Sequence, residues 1–519
     1  METTERWKHH KAILGLAVFV AAFAWFWWIT GDMFKFGNDE GIYLEGGRRV
    51  ALGQQPYRDF FALTGPLTFW IEGLLARWSG DALGVMRLPM VLDVAFLVWA
   101  VYWVSARYAS SLFSAAMALT FLVYETQIPK LAVNHRWDSA ALGTAAVVVA
   151  LEAHQRRSKG FWMAAGLLGA AAGWATPSVL IVAVPLLLWA WSRGRRELVA
   201  FLGGGALVTA VAAAYLEWNH ALIPLIRSML WTGANYTAAN RLAFGQVVRM
   251  AGGARDVHAI PFTQDLPGAI YILLAAILPI AAMLGWCLYQ RRSEHRVPWA
   301  EILPLLGATA ALLLSAWPRW TSDELFYTAA LSAGLCAGLI YFAIPDRSRR
   351  AVGIVLLLAA SAAAAQKAGA ALDRYPFPTR VGVVHGTGED REFIEALEQR
   401  VPEGDSMFAF PYLPLMYYLL NARNPTRYSY LQPGMMNADD EVRAIAELSA
   451  APPRWVIYEE MPPAAILILW PGSDPARIPM AAIHRYLDLH YRDVETVDSS
   501  WGRFVIKKRI PDSAGPMPR

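Results

Sequence analysis

Cysteine is nearly missing from this chain: two residues in 519, Cys287 and Cys336, both inside or at the ends of long apolar runs. That excludes a disulfide-stapled scaffold, and any domain outside a membrane must fold without cross-links. Charge is scarce too, at 17% of residues against 56% hydrophobic, and the net charge of +4 sits largely in short Arg/Lys clusters between apolar runs. A nucleic-acid partner therefore has little support. Paired internal repeats and ionisable groups near a membrane midplane, the marks of a transporter, are not evident either.

Long apolar runs are what the chain has in abundance, together with 22 Trp. No globular core needs so many, so the composition is that of a membrane protein. Windows of about twenty residues predict eleven spans, near 11–30, 83–105, 110–127, 138–153, 160–176, 178–192, 197–216, 267–289, 298–316, 322–343 and 350–371. The fifth and sixth are short and flank Pro177. The first ends in Trp25-Phe26-Trp27-Trp28, an interfacial aromatic belt without a small-residue cleavage site. Six alternate junctions carry the positive charge, among them Arg156-Arg157, Arg195-Arg196 and Arg291-Arg292. Short basic loops stay cytoplasmic, which places the amino terminus inside and the residues after 371 outside.

From about 373 the character changes. Pro376, Pro378 and Gly382 mark a linker, and helix and strand signals then alternate. Helices are expected over Glu389–Gln399, Leu413–Leu420, Asp439–Leu448 and Met480–Leu489, and strands over Ser406–Phe410, Trp455–Tyr458 and Phe504–Lys508. The expected organisation is a transmembrane catalytic part at 1–372, an outer α/β domain at 373–511 and a disordered tail at 512–519. The outer domain has no Gly-rich phosphate loop and no cluster of Cys/His ligands, so it reads as a supporting domain, a lid or a partner surface.

The chemistry is expected in the outside loops. After the first span comes Gly37-Asn38-Asp39-Glu40-Gly41-Ile42-Tyr43, where a carboxylate pair meets the lipid surface. Ionisable groups at such a place usually have a function. The bland reading makes Asp39 the cap of a surface-lying helix from Gly41 to Leu52 and Glu40 a solvated charge in its first turn. A second amphipathic stretch, Leu67–Trp78, follows Gly65-Pro66. The third junction packs Lys130, His135, Arg136 and Asp138 between two spans, and Lys130 and Arg136 suit phosphate neutralisation. The loop 217–266 adds Arg241 and Arg255 together with Trp231-Thr232-Gly233-Ala234-Asn235-Tyr236, whose rings and amide suit a sugar. Arg319 lies in Trp317-Pro318-Arg319-Trp320, and Asp93, inside the second span, reads as an internal hydrogen-bonding group. This layout fits glycosyl transfer from a polyprenyl phosphate sugar: a carboxylate deprotonates the acceptor hydroxyl while Arg or Lys stabilises the departing phosphate. No tightly bound metal is demanded, and a divalent ion stays open.

The same residues resemble the GT-C membrane glycosyltransferases, in the branch of protein O-mannosyltransferases and the lipid A aminoarabinose transferase. The likeness runs through Asn38-Asp39-Glu40-Gly41-Ile42-Tyr43, Gly53-Gln54-Gln55-Pro56-Tyr57-Arg58-Asp59-Phe60 and Gly65-Pro66-Leu67. It implies a polytopic α-helical GT-C-like fold, inversion at the anomeric carbon and an active site at the outer membrane face. By that resemblance Asp39 is the catalytic base or acceptor-positioning group, with Glu40 beside it. Relatives place an acid after Pro-Lys or Ala-Arg at the third junction, whereas here Pro129-Lys130 is followed by Leu131, Ala132 and Val133. Either Asp138 replaces that acid or the chain lacks it. Tyr57 and Arg58 join Lys130, His135, Arg136, Arg241, Arg255 and Arg319 as candidate contacts for donor phosphate or sugar. The expected partners are a polyprenyl-phosphate sugar, a glycan, lipid or protein acceptor, and membrane lipids around a monomer of the bacterial inner membrane. The alternatives are a lipid-linked-sugar transporter, a transferase using arabinose-type donors and a non-catalytic scaffold for the outer domain.

Overall fold

A computed structural model describes residues 2–34, 38–125, 131–240, 285, 299–318, 327–499 and 502–511. The amino-terminal part is helical. Helix α1 (Glu2–Thr30) leads into two helices of the first loop, α2 (Asn38–Ala51) and α3 (Leu67–Ser79), and a short α4 (Leu83–Met86). The bundle continues with α5 (Leu88–Ser105), α6 (Ser111–Glu125), α7 (His135–Arg156) and α8 (Lys159–Ala175). After a 3-10 turn at Pro177–Val182 come α9 (Ala183–Arg193), α10 (Arg195–Trp218), α11 (Leu222–Ala234) and α12 (Tyr236–Asn240). Helices α13 (Trp299–Ser315), α14 (Ala330–Ala343) and α15 (Asp346–Leu372) complete it.

The count of eleven spans needs correction. Among the described residues four helices are long and apolar enough to cross a membrane: His10–Thr30, Leu83–Ser105, Arg195–Trp218 and Asp346–Gly369. Four shorter apolar helices, Ser111–Val123, Pro177–Arg193, Trp299–Ser315 and Ala330–Ala343, match other expected spans, and the expected spans at 138–153 and 160–176 fall within α7 and α8. The span at 267–289 lies outside the described residues apart from Gly285. Hydropathy windows count apolar residues whether they face lipid or other helices. Helix α14, for instance, buries Leu331, Leu335 and Cys336 inside the bundle, so its apolar character serves packing and its length need not match a bilayer. A tight crossing is that between α8 and α10, where a Cβ on Gly166 would collide with the carbonyl of Phe201. Small residues at such a crossing let two backbones meet.

The carboxy-terminal region is α/β, as its alternating pattern predicts. Strands β1 (Tyr375–Thr379) and β2 (Gly382–Gly386) form an antiparallel hairpin. A four-stranded sheet follows in the order β3 (Met407–Phe410), β4 (Trp455–Glu459), β6 (Gly502–Arg509) and β5 (Tyr491–Ser499). Strand β3 runs parallel to β4, and the other two pairs are antiparallel. Around the sheet lie α16 (Gly388–Arg400), α17 (Pro414–Leu419), α18 (Ala438–Ala450), α19 (Pro463–Leu469) and α20 (Ala481–His490). Helices α16 and α18 each start at a capping box, on Thr387 with Asp390 and on Asn437 with Asp440.

Helix α2 does not lie on a surface. It is buried between α3 and α17, and one continuous core joins Tyr43, Phe60 and Phe69 of the first loop to Leu415, Tyr417 and Trp455 of the carboxy-terminal region. Gly41 makes this docking possible, because a Cβ there would run into the backbone of Leu415. Polar groups fix the register of the joint. Arg48 Nη1 donates to Asn421 Oδ1 at 2.6 Å, Arg49 Nη1 to the carbonyl of Thr426 at 3.1 Å, and the Tyr418 hydroxyl to the carbonyl of Asp81 at 2.6 Å. Near the end of α1, Phe34 N–H donates to the carbonyl of His385 and His385 N–H to that of Asp32, at 2.7 and 2.8 Å.

Candidate active site

Asp39 stands in the first turn of α2, which already begins at Asn38, so the residue lies within the helix and not at its cap. It is exposed, and its Oδ1 accepts a hydrogen bond of 2.8 Å from the Tyr412 hydroxyl. One residue on, a helix has turned by about 100°, and Glu40 points the other way. Glu40 is fully buried and forms a two-pronged ion pair with Arg87, Nε to Oε1 at 2.8 Å and Nη2 to Oε2 at 2.6 Å. Its Oε1 also accepts the N–H of Val133 at 3.0 Å, and Arg87 Nη1 donates to the carbonyl of Thr30 at 2.7 Å. The expected Asp39–Glu40 pair therefore does not share one site. Glu40 fastens the end of α1 and the approach to α7 onto α2.

The start of α7 faces Asp39 across a cavity of about 400 Å3. Asn134 caps this helix by accepting the N–H of Arg136 at 3.0 Å. Asn134, His135 and Arg136 all line the cavity, so the positive end of the helix dipole opens into it. His135 Nδ1 lies 2.6 Å from Thr176 Oγ1, and that hydroxyl donates to the carbonyl of His135 at 3.2 Å. Which partner donates in the imidazole–hydroxyl pair follows the imidazole tautomer.

Asp138 sits one turn further into α7, buried, and accepts from the Thr68 hydroxyl while sharing a hydrogen bond with Asp93. It is not part of the cavity wall, because that turn faces α3 and α5 inside the bundle. Tyr57 is likewise buried beneath the site, its hydroxyl on the carbonyl of Thr64. Arg58 is engaged outside the cavity, with Asp59 Oδ2 at 2.7 Å and the carbonyl of Asn219 at 2.7 Å. Lys130, Arg241, Arg255 and Arg319 lie outside the described residues. Of the predicted site residues, the cavity thus unites Asp39, His135 and Arg136. Thr232, Gly233 and Tyr236, from the stretch read as sugar-binding, line it as well, as do Trp317 and Pro318.

The far wall was not foreseen: Tyr412, Tyr430 and Gln432 come from the carboxy-terminal region. Burial, reinforced by the charge of Asp39, pushes the Tyr412 phenol well above its ordinary range, so it stays a protonated donor. The one hint in the sequence was aromatic density, with Tyr412, Tyr428 and Tyr430 near Phe408 and Phe410. A second concavity, an apolar groove of about 560 Å3, runs between α3 and α10 and is lined by Trp70, Leu74, Leu207, Val211 and Tyr215, with Arg77 among its walls.

No protein-family model matches the chain, and no curated protein matches it. Solved structures do. The chain is similar to ArnT from Cupriavidus metallidurans bound to undecaprenyl phosphate, at 12% identity over 97% of this chain and 99% of that one, with a TM-score of 0.54. It is also similar to the archaeal oligosaccharyltransferase AglB from Archaeoglobus fulgidus in complex with an inhibitory peptide and a dolichol-phosphate. There the identity is 12% over 94% of this chain and 74% of that one, with a TM-score of 0.51. At such identities the likeness is one of fold. The architecture shared with them is an α-helical part containing membrane-length helices followed by an α/β region.

Proposed function

We propose that the protein is an inverting glycosyltransferase that moves a sugar from a polyprenyl-phosphate donor to a hydroxyl of a lipid, glycan or protein acceptor. The observation that carries this reading is the single cavity in which the exposed carboxylate of Asp39 faces Arg136 and the amino-terminal end of α7. Asp39 takes the acceptor's hydroxyl proton as the oxygen attacks the anomeric carbon from the face opposite the phosphate. The carbon–oxygen bond to phosphate breaks, and the leaving phosphate departs with the electron pair. Arg136 and the helix end stabilise the charge that builds on it. These fixed positive groups can do so without a tightly bound metal. The groove between α3 and α10 suits the donor's prenyl tail. Both solved relatives of similar fold hold a polyprenyl phosphate, which supports the same donor class here.

The alternating Arg/Lys junctions support an inner-membrane protein whose amino terminus is cytoplasmic and whose 373–511 region is periplasmic, with the cavity on that outer side. The test is release of undecaprenyl phosphate from a panel of undecaprenyl-phosphate sugars by purified protein. Asp39→Asn should lower release by about 10²–10⁴-fold while the protein stays folded. Retained release in that variant removes Asp39 as the base, and failure of the folded wild type to bind any of the donors removes this donor class.

A further inference from the structure

The clasp at residues 411–432 has a geometry that packing alone does not require. Its two ends are tied by the N–H of Leu431, which donates to the carbonyl of Pro411 at 2.7 Å. The Tyr412 ring is held edge-on by Tyr430 and Trp470, with centroids 5.0 and 5.1 Å away. A phenol clamped on two sides can aim its hydroxyl in one direction only, and that direction is Asp39 Oδ1. The carboxylate it meets is exposed and belongs to a helix already anchored by Glu40, Arg48 and Arg49. A single hydrogen bond to an exposed group is a small part of folding stability, so the contact adds little to a joint held by a shared core. The same wall carries Gln432, 2% exposed, whose Nε2 has no partner among the described residues. Its side chain lines the same cavity as Asp39 and Tyr412.

We propose that the carboxy-terminal region is a working wall of the site, with Tyr412 as a positioning residue that holds the Asp39 carboxylate toward the acceptor hydroxyl. This rests on the glycosyl-transfer reading above. By occupying Oδ1, the phenol leaves Oδ2 as the oxygen that accepts the acceptor's proton. A carboxylate free to rotate would spend most of its time misaligned, and small misplacements of reacting groups cost about 10²-fold in rate.

The test compares full-length wild type with Tyr412→Phe, which keeps the ring and its packing and removes the hydroxyl. The first readout is donor turnover: kcat for undecaprenyl phosphate release should fall about 10- to 100-fold with KM unchanged. The second does not need activity. Labelling of Asp39 by a water-soluble carbodiimide with glycine ethyl ester, followed by mass spectrometry, should speed up at least about threefold once the carboxylate is no longer held. A kcat within twofold of wild type, or an unchanged labelling rate, overturns the proposal. If wild type binds none of the donors, the donor class fails, and the labelling comparison still decides whether Tyr412 holds Asp39.

Discussion

Adjacent carboxylates on a helix look in different directions, and in α2 the difference separates function from structure. Asp39 faces the cavity, while Glu40 is sealed against Arg87 with no exposed surface. A buried pair adds little over an apolar substitute of the same shape, yet removing one partner leaves an uncompensated charge. Arg87→Met should therefore destabilise the protein by about 3–5 kcal/mol, and the double variant Arg87→Met/Glu40→Leu should recover most of that loss. Thermal unfolding in detergent checks both, with Asp39→Asn as a control whose midpoint stays near wild type. Equal destabilisation by the single and double variants would refute the pairing account. The sequence made the pair visible but not the split, because a helix beginning at Asn38 instead of Gly41 sets which face each acid takes.

At the scale of elements, the joint between α2 and α17 decides whether the site exists. Gly41→Val forces a side chain into the backbone of Leu415. We expect limited proteolysis to cleave the 373–511 region several-fold faster in this variant, and donor release to fall with it. Wild-type protease resistance would show that the joint tolerates the branch. Most helices and the three strands with apolar runs were legible from periodicity, and so was α3. What escaped has clear causes. Strand β1 reads Tyr375-Pro376-Phe377-Pro378-Thr379, and two prolines look like a linker, although a hairpin edge accepts them. Strand β5 mixes charged, polar and apolar side chains at the sheet edge and is largely exposed, so no hydrophobic run announces it. Helix α19, Pro463–Leu469, is too short for its period to register. The start of α7 was read for its charges, yet its decisive property is a helix amino terminus, which Asn134 signals only through its cap. The walls supplied by Tyr412, Tyr430 and Gln432 lie hundreds of residues from Asp39, and no local pattern links them.

At the scale of the whole molecule, a half-buried carboxyl outside the membrane part couples stability to pH. Glu459, at the end of β4, has an Oε2 with no partner among the described residues, and burial raises its carboxyl to about 7. Its unfolded value is near 4.5, so the folded chain holds this proton more tightly. The resulting stability is present in full below about 4.5 and is lost as pH rises through 7, to a total of at most about 3 kcal/mol. Thermal unfolding between pH 5 and 8 should show this decline, and Glu459→Gln should flatten it and raise the midpoint at pH 8. An unchanged slope in the variant would assign the pH dependence elsewhere.

Asp39 and the phenol that holds it are 373 residues apart in the chain. Synthesis starts at the amino terminus, so the segments that carry the carboxylate and the amino-terminal end of α7 are made well before the clasp. In the proposed orientation the clasp reaches the outside only after the last helix of the bundle has been threaded. Until then the acid is present but unaimed. A chain that stops early, or whose final segment fails to cross, thus carries the acid without the wall that aims it, and the proposed reaction waits on completion of export.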